Sequence, residues 1–146
     1  MNKKIKQAKE IDYDGIHFKS KKEKEAYIIL KESGLNPEYE PDKAVLFEGF
    51  KPSHPWFLNG VPQLTKSGKP KKLIDWNYTP DFKISLNDYT AYIEIKGYPN
   101  DVYPYKRKLF LGLINNLDNV FFFEVNNLPA GLLKSIEIFK KYATIR

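Results

Sequence analysis

Three side chains in the segment NYTPDFKISLNDYTAYIEIKGY, residues 77–98, have types and a spacing that could support hydrolysis. Asp81 follows Pro80, and Glu94 and Lys96 stand two residues apart in an otherwise apolar run. In an extended strand, alternate residues point to the same face. Ala91, Ile93 and Ile95 therefore share one face, and Tyr92, Glu94 and Lys96 the other. On the preceding strand Phe82, Ile84 and Leu86 separate in the same way from Asp81, Lys83 and Ser85. Antiparallel pairing of the two strands would set Asp81 beside Glu94.

Two readings of that face are open. One is a solvated surface with a weakly stabilising Glu–Lys pair, a common arrangement. The other begins from the repulsion between two convergent carboxylates, which a bound cation relieves. Mg²⁺ takes oxygen ligands, one or two carboxylates together with waters and phosphate oxygens. A lysine cannot ligate a cation, but it can orient or deprotonate a water, or neutralise charge that builds on a phosphate. On this second reading, the three residues beside a basic surface describe metal-dependent attack of water on a phosphodiester.

Glu23 is a further acid to place. Ala26, Tyr27 and Leu30 follow it at +3, +4 and +7, which sets Glu23 on an apolar helix face turned toward a sheet. It also completes a capping box with Ser20, a purely structural role. Glu25, on a face with Ile28 and Ile29, competes with it for any functional part.

The elements that would position these residues can be read in outline. Ser20 as N-cap and Gly34 as stop predict a helix over 21–33. PEYEPDKAVLF predicts a strand near 38–47. Residues 48–72, rich in Pro, Gly and Lys, fit no periodic template and are expected to form a long insertion. Strands are expected at 80–87 and 90–96 around the LNDY turn. Pro104 opens a helix through PYKRKLFLGLINNL, with Phe110, Leu113, Ile114 and Leu117 on one face. NVFFFEV predicts a strand buried on both faces, and PAGLLKSIEIFKKYATI an amphipathic last helix. The order helix, three strands, helix, strand, helix predicts an α/β fold, a mixed central β-sheet flanked by α-helices.

Composition narrows the chemistry. The chain has 146 residues, 42% hydrophobic and 15% aromatic. It is expected to fold as one domain. With no cysteine there is no disulfide, no thiolate nucleophile and no Cys-type zinc site. Two scattered histidines, His17 and His54, argue against a His-based metal site or a Ser-His-Asp triad, so carboxylates and lysines must do the work. No apolar run approaches the roughly 18 residues of a membrane span, and the N-terminus lacks the apolar stretch of a signal peptide. A cytoplasmic protein is expected, with no membrane partner. The net charge of +6 favours a polyanionic partner. Lys51, Lys66, Lys69, Lys71 and Lys72 fall in a segment without an acid, and a basic N-terminal arm spans about 1–15.

With SKKE, YTPDF and IEIKG in that order, the sequence resembles the PD-(D/E)XK nuclease superfamily, whose fold is restriction-endonuclease-like. Within it, the layout FKSKKE…L…YEP…YTPDF…YIEIKG…KRK…FFFEV, over about residues 16–125, is similar to phage endonuclease I-type Holliday junction resolvases. The resemblance implies a DNA endonuclease using Mg²⁺ or Mn²⁺, with Asp81 and Glu94 as metal-binding acids, Glu23 as the helix acid that joins them, and Lys96 as the catalytic lysine. It places Lys106, Arg107 and Lys108 where related nucleases contact phosphate, although a solvated helix end would look the same. Lys66, Lys69, Lys71 and Lys72 would add backbone contacts from the insertion, which is longer than in the junction-resolving relatives and leaves substrate choice open. A symmetric four-way junction needs two cuts, which points to a homodimer. The alternatives are a repair, restriction-like or DNA-processing nuclease on duplex or single strands, and a non-catalytic DNA-binding module. His17, His54, Trp56 and Phe57 read as structural rather than DNA-contacting.

Overall fold

The computed structural model describes residues 9–97 and 100–145. Its first elements lie where a basic arm was expected. Strands β1 (Ile11–Tyr13) and β2 (Ile16–Phe18) form a hairpin. It turns across Asp14 and Gly15, both at positive φ, 53° and 73°, the backbone of a type I′ turn. The arm expected over 1–15 is thus partly folded, because Asp-Gly between short apolar runs is a hairpin signal. Its first eight residues lie outside the described ones.

Helix α1 (Lys21–Glu32) begins where Ser20 Oγ accepts the Glu23 N–H at 3.1 Å, the bond expected of an N-cap. It ends at Gly34 (φ 80°), whose left-handed backbone lets the Leu35 N–H reach Leu30 C=O at 3.1 Å, as glycine commonly does after a helix. Ala26, Tyr27 and Leu30 form its buried face. Ser20→Ala is expected to lower stability by about 1 kcal/mol, seen as a lower urea midpoint at unchanged m-value; an unchanged midpoint would remove the cap from this account.

The strand expected over 38–47 is two strands in different sheets, β3 (Glu38–Tyr39) and β4 (Ala44–Phe47). Glu40 at φ 46° followed by Pro41 breaks the run, since proline donates no hydrogen bond and a positive φ turns the chain out of extension. The expected insertion also has structure of its own. Strands β5 (Phe57–Leu58) and β6 (Val61–Pro62) pair with each other, and bridges join Phe50 to Leu73 and Leu64 to Pro70. Strand β7 (Trp76–Tyr78) returns antiparallel to β4. Gly49 fits only as glycine, because an added Cβ would stand 2.3 Å from Leu73 O.

The central sheet has the order β10–β9–β8–β3, with β8 spanning Phe82–Leu86, β9 Tyr89–Ile95 and β10 Val120–Val125. β8 is antiparallel to both β9 and β3, and β10 runs parallel to β9. Helix α2 (Tyr103–Ile114) lies in the crossover that such a parallel pair requires, and α3 (Ala130–Thr144) closes the described chain. The protein is therefore mixed α/β, with several sheets and, among the described residues, three helices.

Alternation along β9 divides the interior. Ala91, Ile93 and Ile95 join Phe82 and Ile84 under α1 and α3, in a core that also buries Phe18, Leu30, Leu132 and Phe139. On the opposite face Tyr92 and Phe122 pack against Tyr103 and Phe110 of α2, with Leu46 and Tyr78. Two details depart from expectation. β10 is an edge strand, so its phenylalanines are only half-buried and Val125 alone is fully covered. On α2, Phe110 is buried while Leu113 and Leu117 are exposed, the latter beyond the helix end. No helix of the described residues is long and apolar enough to cross a membrane.

Candidate active site

β8 and β9 place the three residues picked out by type and spacing at one end of their hairpin. Phe82 pairs with Ile93, so the preceding residue, Asp81, comes level with the Glu94–Ile95 end of β9. There Asp81 Oδ2 accepts the Ile95 N–H at 2.7 Å. Glu94 alternates to the α2 side of the sheet and is 6% exposed. Its Oε2 accepts from the Tyr78 hydroxyl at 2.6 Å and its Oε1 faces Lys96 Nζ at 3.1 Å. The Lys96 ammonium also lies 3.5 Å from the centroid of the Tyr103 ring, a cation–π contact. Exposed strand pairs are not held this way, so the solvated-face reading does not describe Glu94.

The electrostatics follow from burial. Loss of solvent, then the neighbouring charge of Glu94, pushes the Asp81 carboxyl up to about 8, against the opposing pull of the Ile95 N–H and Lys96, since both causes disfavour the charged form. Burial and the same Glu94 charge drive the Tyr78 hydroxyl far above the usual tyrosine range, so it remains a donor.

The sign of the pH effect on folding is fixed by the direction of the Asp81 shift. An acid that holds its proton more tightly when folded contributes stability in full below its unfolded pKa, near the ordinary carboxylate value. For Asp81 that contribution disappears as pH rises through about 8. In chelator, the melting temperature is expected to fall from pH 5.5 to 8.5. A flat or rising profile over that interval would contradict the Asp81 environment described here.

A cleft of about 360 Å³ opens beside this cluster, lined among others by Asn77, Tyr78, Glu94, Lys96, Tyr103 and Lys106. Glu23 stands to one side. Its N–H makes the Ser20 cap, but its carboxylate accepts from the Tyr39 hydroxyl at 2.8 Å, a tie that the capping-box reading did not foresee. Its charge reaches Asp81 and adds to the upward push there. Among the described residues no three Asp, Glu or His side chains converge into a ready metal cluster, so Glu23 is not gathered with Asp81 and Glu94 into one ligand group. Glu25 is exposed and lines a separate groove with Ile28 and Ile29.

The basic residues divide. Lys106 lines the cleft. Arg107 Nη1 donates to both oxygens of Glu124, at 2.9 and 3.1 Å. Lys108 is exposed, as are Lys66, Lys69, Lys71 and Lys72 on the β4–β7 extension, away from the cleft lining. His17 lies between Asp12 and Glu10 on the first hairpin, far from a metal-binding role with His54. The residues that sequence reasoning missed are the tyrosines. Tyr39, Tyr78 and Tyr103 hold Glu23, Glu94 and Lys96 respectively. In a chain with ten tyrosines, nothing in the spacing distinguishes these three.

Fold and site together define a mixed α/β protein in which a buried glutamate, a half-buried aspartate and a lysine stand together beside a cleft. The chain belongs to the family described as "Protein of unknown function (DUF1064)", which matches residues 3–126. The match takes in every candidate site residue and ends just after β10, before α3. No curated protein and no solved structure matches the chain.

Proposed function

We propose that this chain is a Mg²⁺- or Mn²⁺-dependent endodeoxyribonuclease of restriction-endonuclease-like fold, cutting branched DNA, four-way junctions first, as a homodimer. The observation that carries this reading is the convergence of Asp81, Glu94 and Lys96 beside a cleft that Lys106 also lines. The donors are all carboxylate oxygens, which suits a hard cation, and two acids are the number Mg²⁺ commonly takes from protein. The proton that Asp81 retains against Glu94 marks a place where added positive charge would be favourable.

Asp81 and Glu94 would hold the cation, and Glu23 would act on it through charge or a shared water. A bound divalent cation supplies Lewis-acid activation of water and of the phosphoryl oxygen. Tyr78 fixes the Glu94 carboxylate through one oxygen. Lys96 Nζ, steadied on the Tyr103 ring, would orient the attacking water or neutralise charge on the phosphate. Lys106, which also lines the cleft, would grip the phosphate. Since contacts to phosphate supply affinity without reading bases, recognition is expected to follow DNA shape. A pure binding module gains nothing from two acids turned toward phosphates.

The test compares the wild type with Glu94→Gln on four-way junction, duplex and single-stranded DNA, in Mg²⁺, Mn²⁺ or chelator. Cleavage that needs metal, favours the junction and is lost in the variant is expected. Cleavage by both proteins alike, or by neither while DNA binding persists, would refute the nuclease reading.

A further inference from the structure

The β5–β6 hairpin carries an unusual surface. Asn59 and Gly60, at φ 50° and 76°, turn the chain between Leu58 and Val61, which face each other, with Phe57 opposite Pro62 behind them. Two successive positive φ values make this a two-residue type I′ turn. Cross-strand partners share a face and successive pairs alternate, so Leu58 and Val61 cover one face of the tip and Phe57 and Pro62 the other. Phe57, Leu58 and Val61 are 58%, 60% and 59% exposed. Antiparallel ribbons on a protein surface normally keep one face polar; this tip is apolar on both.

Directly behind the tip the chain turns again. Thr65 N–H donates to Lys69 C=O at 2.7 Å, and Lys71 N–H to Gln63 C=O at 3.0 Å, so a second hairpin adds to the first. It carries Lys66, Lys69 and Lys71, with Lys72 just beyond, all exposed, and no acid lies between residues 51 and 72. An apolar point backed by lysines alone complements a polyanion with an apolar interior. A second basic copy of this chain is a poorer match, because its own lysines would meet these. Apart from the Asn59 amide, the tip has no side-chain donor or acceptor with which to read base edges.

We propose that the β5–β6 tip is a wedge that enters between bases where a DNA strand is already open, while the lysines behind it hold the flanking phosphates. This rests on the DNA reading given above and narrows its substrate class to DNA with an unstacked or easily unstacked step, such as a branch point. Proteins that insert apolar side chains between base steps offset the cost of unstacking with the backbone contacts that the opened DNA allows.

The experiment uses a four-way junction with 2-aminopurine at the branch point, and chelator so that no strand is cut. Wild-type protein is expected to raise the fluorescence several-fold on binding. The triple variant Phe57→Ser, Leu58→Ser, Val61→Ser is expected to bind with comparable affinity and give no rise. Replacing Lys66, Lys69, Lys71 and Lys72 with Gln is expected to lower the salt slope of binding by about four, with the rise restored at saturating protein. Binding without a rise in the wild type, or a rise kept by the tip variant, would overturn the wedge. So would a dimer-to-monomer shift in the tip variant alone, which would make the tip a self-association surface. A fluorescence rise without cleavage in Mg²⁺ would sink the hydrolase reading and leave the wedge standing, and no binding to any DNA would sink both.

Discussion

Asp81→Asn is expected to match the metal-free wild type in stability only at about pH 4 and below, and to exceed it by a margin that grows from pH 6 to about pH 8, while removing its response to Mg²⁺. Below about pH 8 the wild-type Asp81 keeps its proton, because burial and the Glu94 charge oppose ionisation. A neutral amide of the same shape can still accept the Ile95 N–H, so the fold loses nothing there. Between the ordinary carboxylate value and about 8 the unfolded wild type releases this proton while the folded one retains it, which draws the wild type toward unfolding, and the variant has no such proton to release. Cation binding draws on the opposite property, since it needs the ionised carboxylate. Mg²⁺ should therefore raise the wild-type melting temperature, increasingly from pH 6 to 8.5 as proton and cation compete for one carboxylate, and leave the variant unmoved. Equal Mg²⁺ shifts in the two proteins would exclude Asp81 as a ligand.

Lys96→Ala has the largest expected effect on folding among the site variants. Lys96 is the close countercharge of a nearly buried glutamate. Removing one partner of such a pair leaves the other without compensation, at a cost of about 3 kcal/mol. The contact with the Tyr103 ring goes with it. A double-mutant cycle separates these parts. In Glu94→Gln the acid is already neutral, so adding Lys96→Ala to it should cost much less than Lys96→Ala alone. Urea unfolding of the four proteins at pH 8 checks this, and additive losses would mean that the two side chains do not depend on one another. Cleavage should be lost in every variant of the cycle, so stability and chemistry are read from separate assays.

The sequence carried the central hairpin and its polarity well, because period-two alternation survives in β8 and β9. A wrong register would turn Phe82, Ile84 and Ile93 out of the core, so the pattern and the pairing specify each other. That Asp81 comes level with Glu94 and Lys96 followed from this alternation together with antiparallel pairing of the two strands. Three features that bear on the site were hidden. β7 is three residues long between a lysine-rich stretch and Pro80, too short for a period to register. The break at Glu40–Pro41 was masked by apolar residues continuing on its far side. The tyrosine partners depend on long-range packing, Tyr78 reaching Glu94 from a different sheet and Tyr103 reaching Lys96 from α2, and no local pattern encodes such contacts. Glu23 shows both sides of this. Its cap was legible from Ser20, whereas its tie to Tyr39 was not.

The central claim, that Asp81 and Glu94 form a cation site that hydrolyses phosphodiesters, is tested most directly by single-turnover cleavage of an end-labelled four-way junction by wild type and Asp81→Asn, in Mg²⁺ and in chelator. Several kcal/mol of transition-state stabilisation come from a bound cation, on the order of a thousandfold in rate. The account predicts rapid Mg²⁺-dependent cuts by the wild type and a loss of at least that order in a variant that remains folded and DNA-bound. Cleavage by Asp81→Asn at the wild-type rate, or no cleavage by folded, DNA-bound wild type in Mg²⁺ or Mn²⁺, would contradict it.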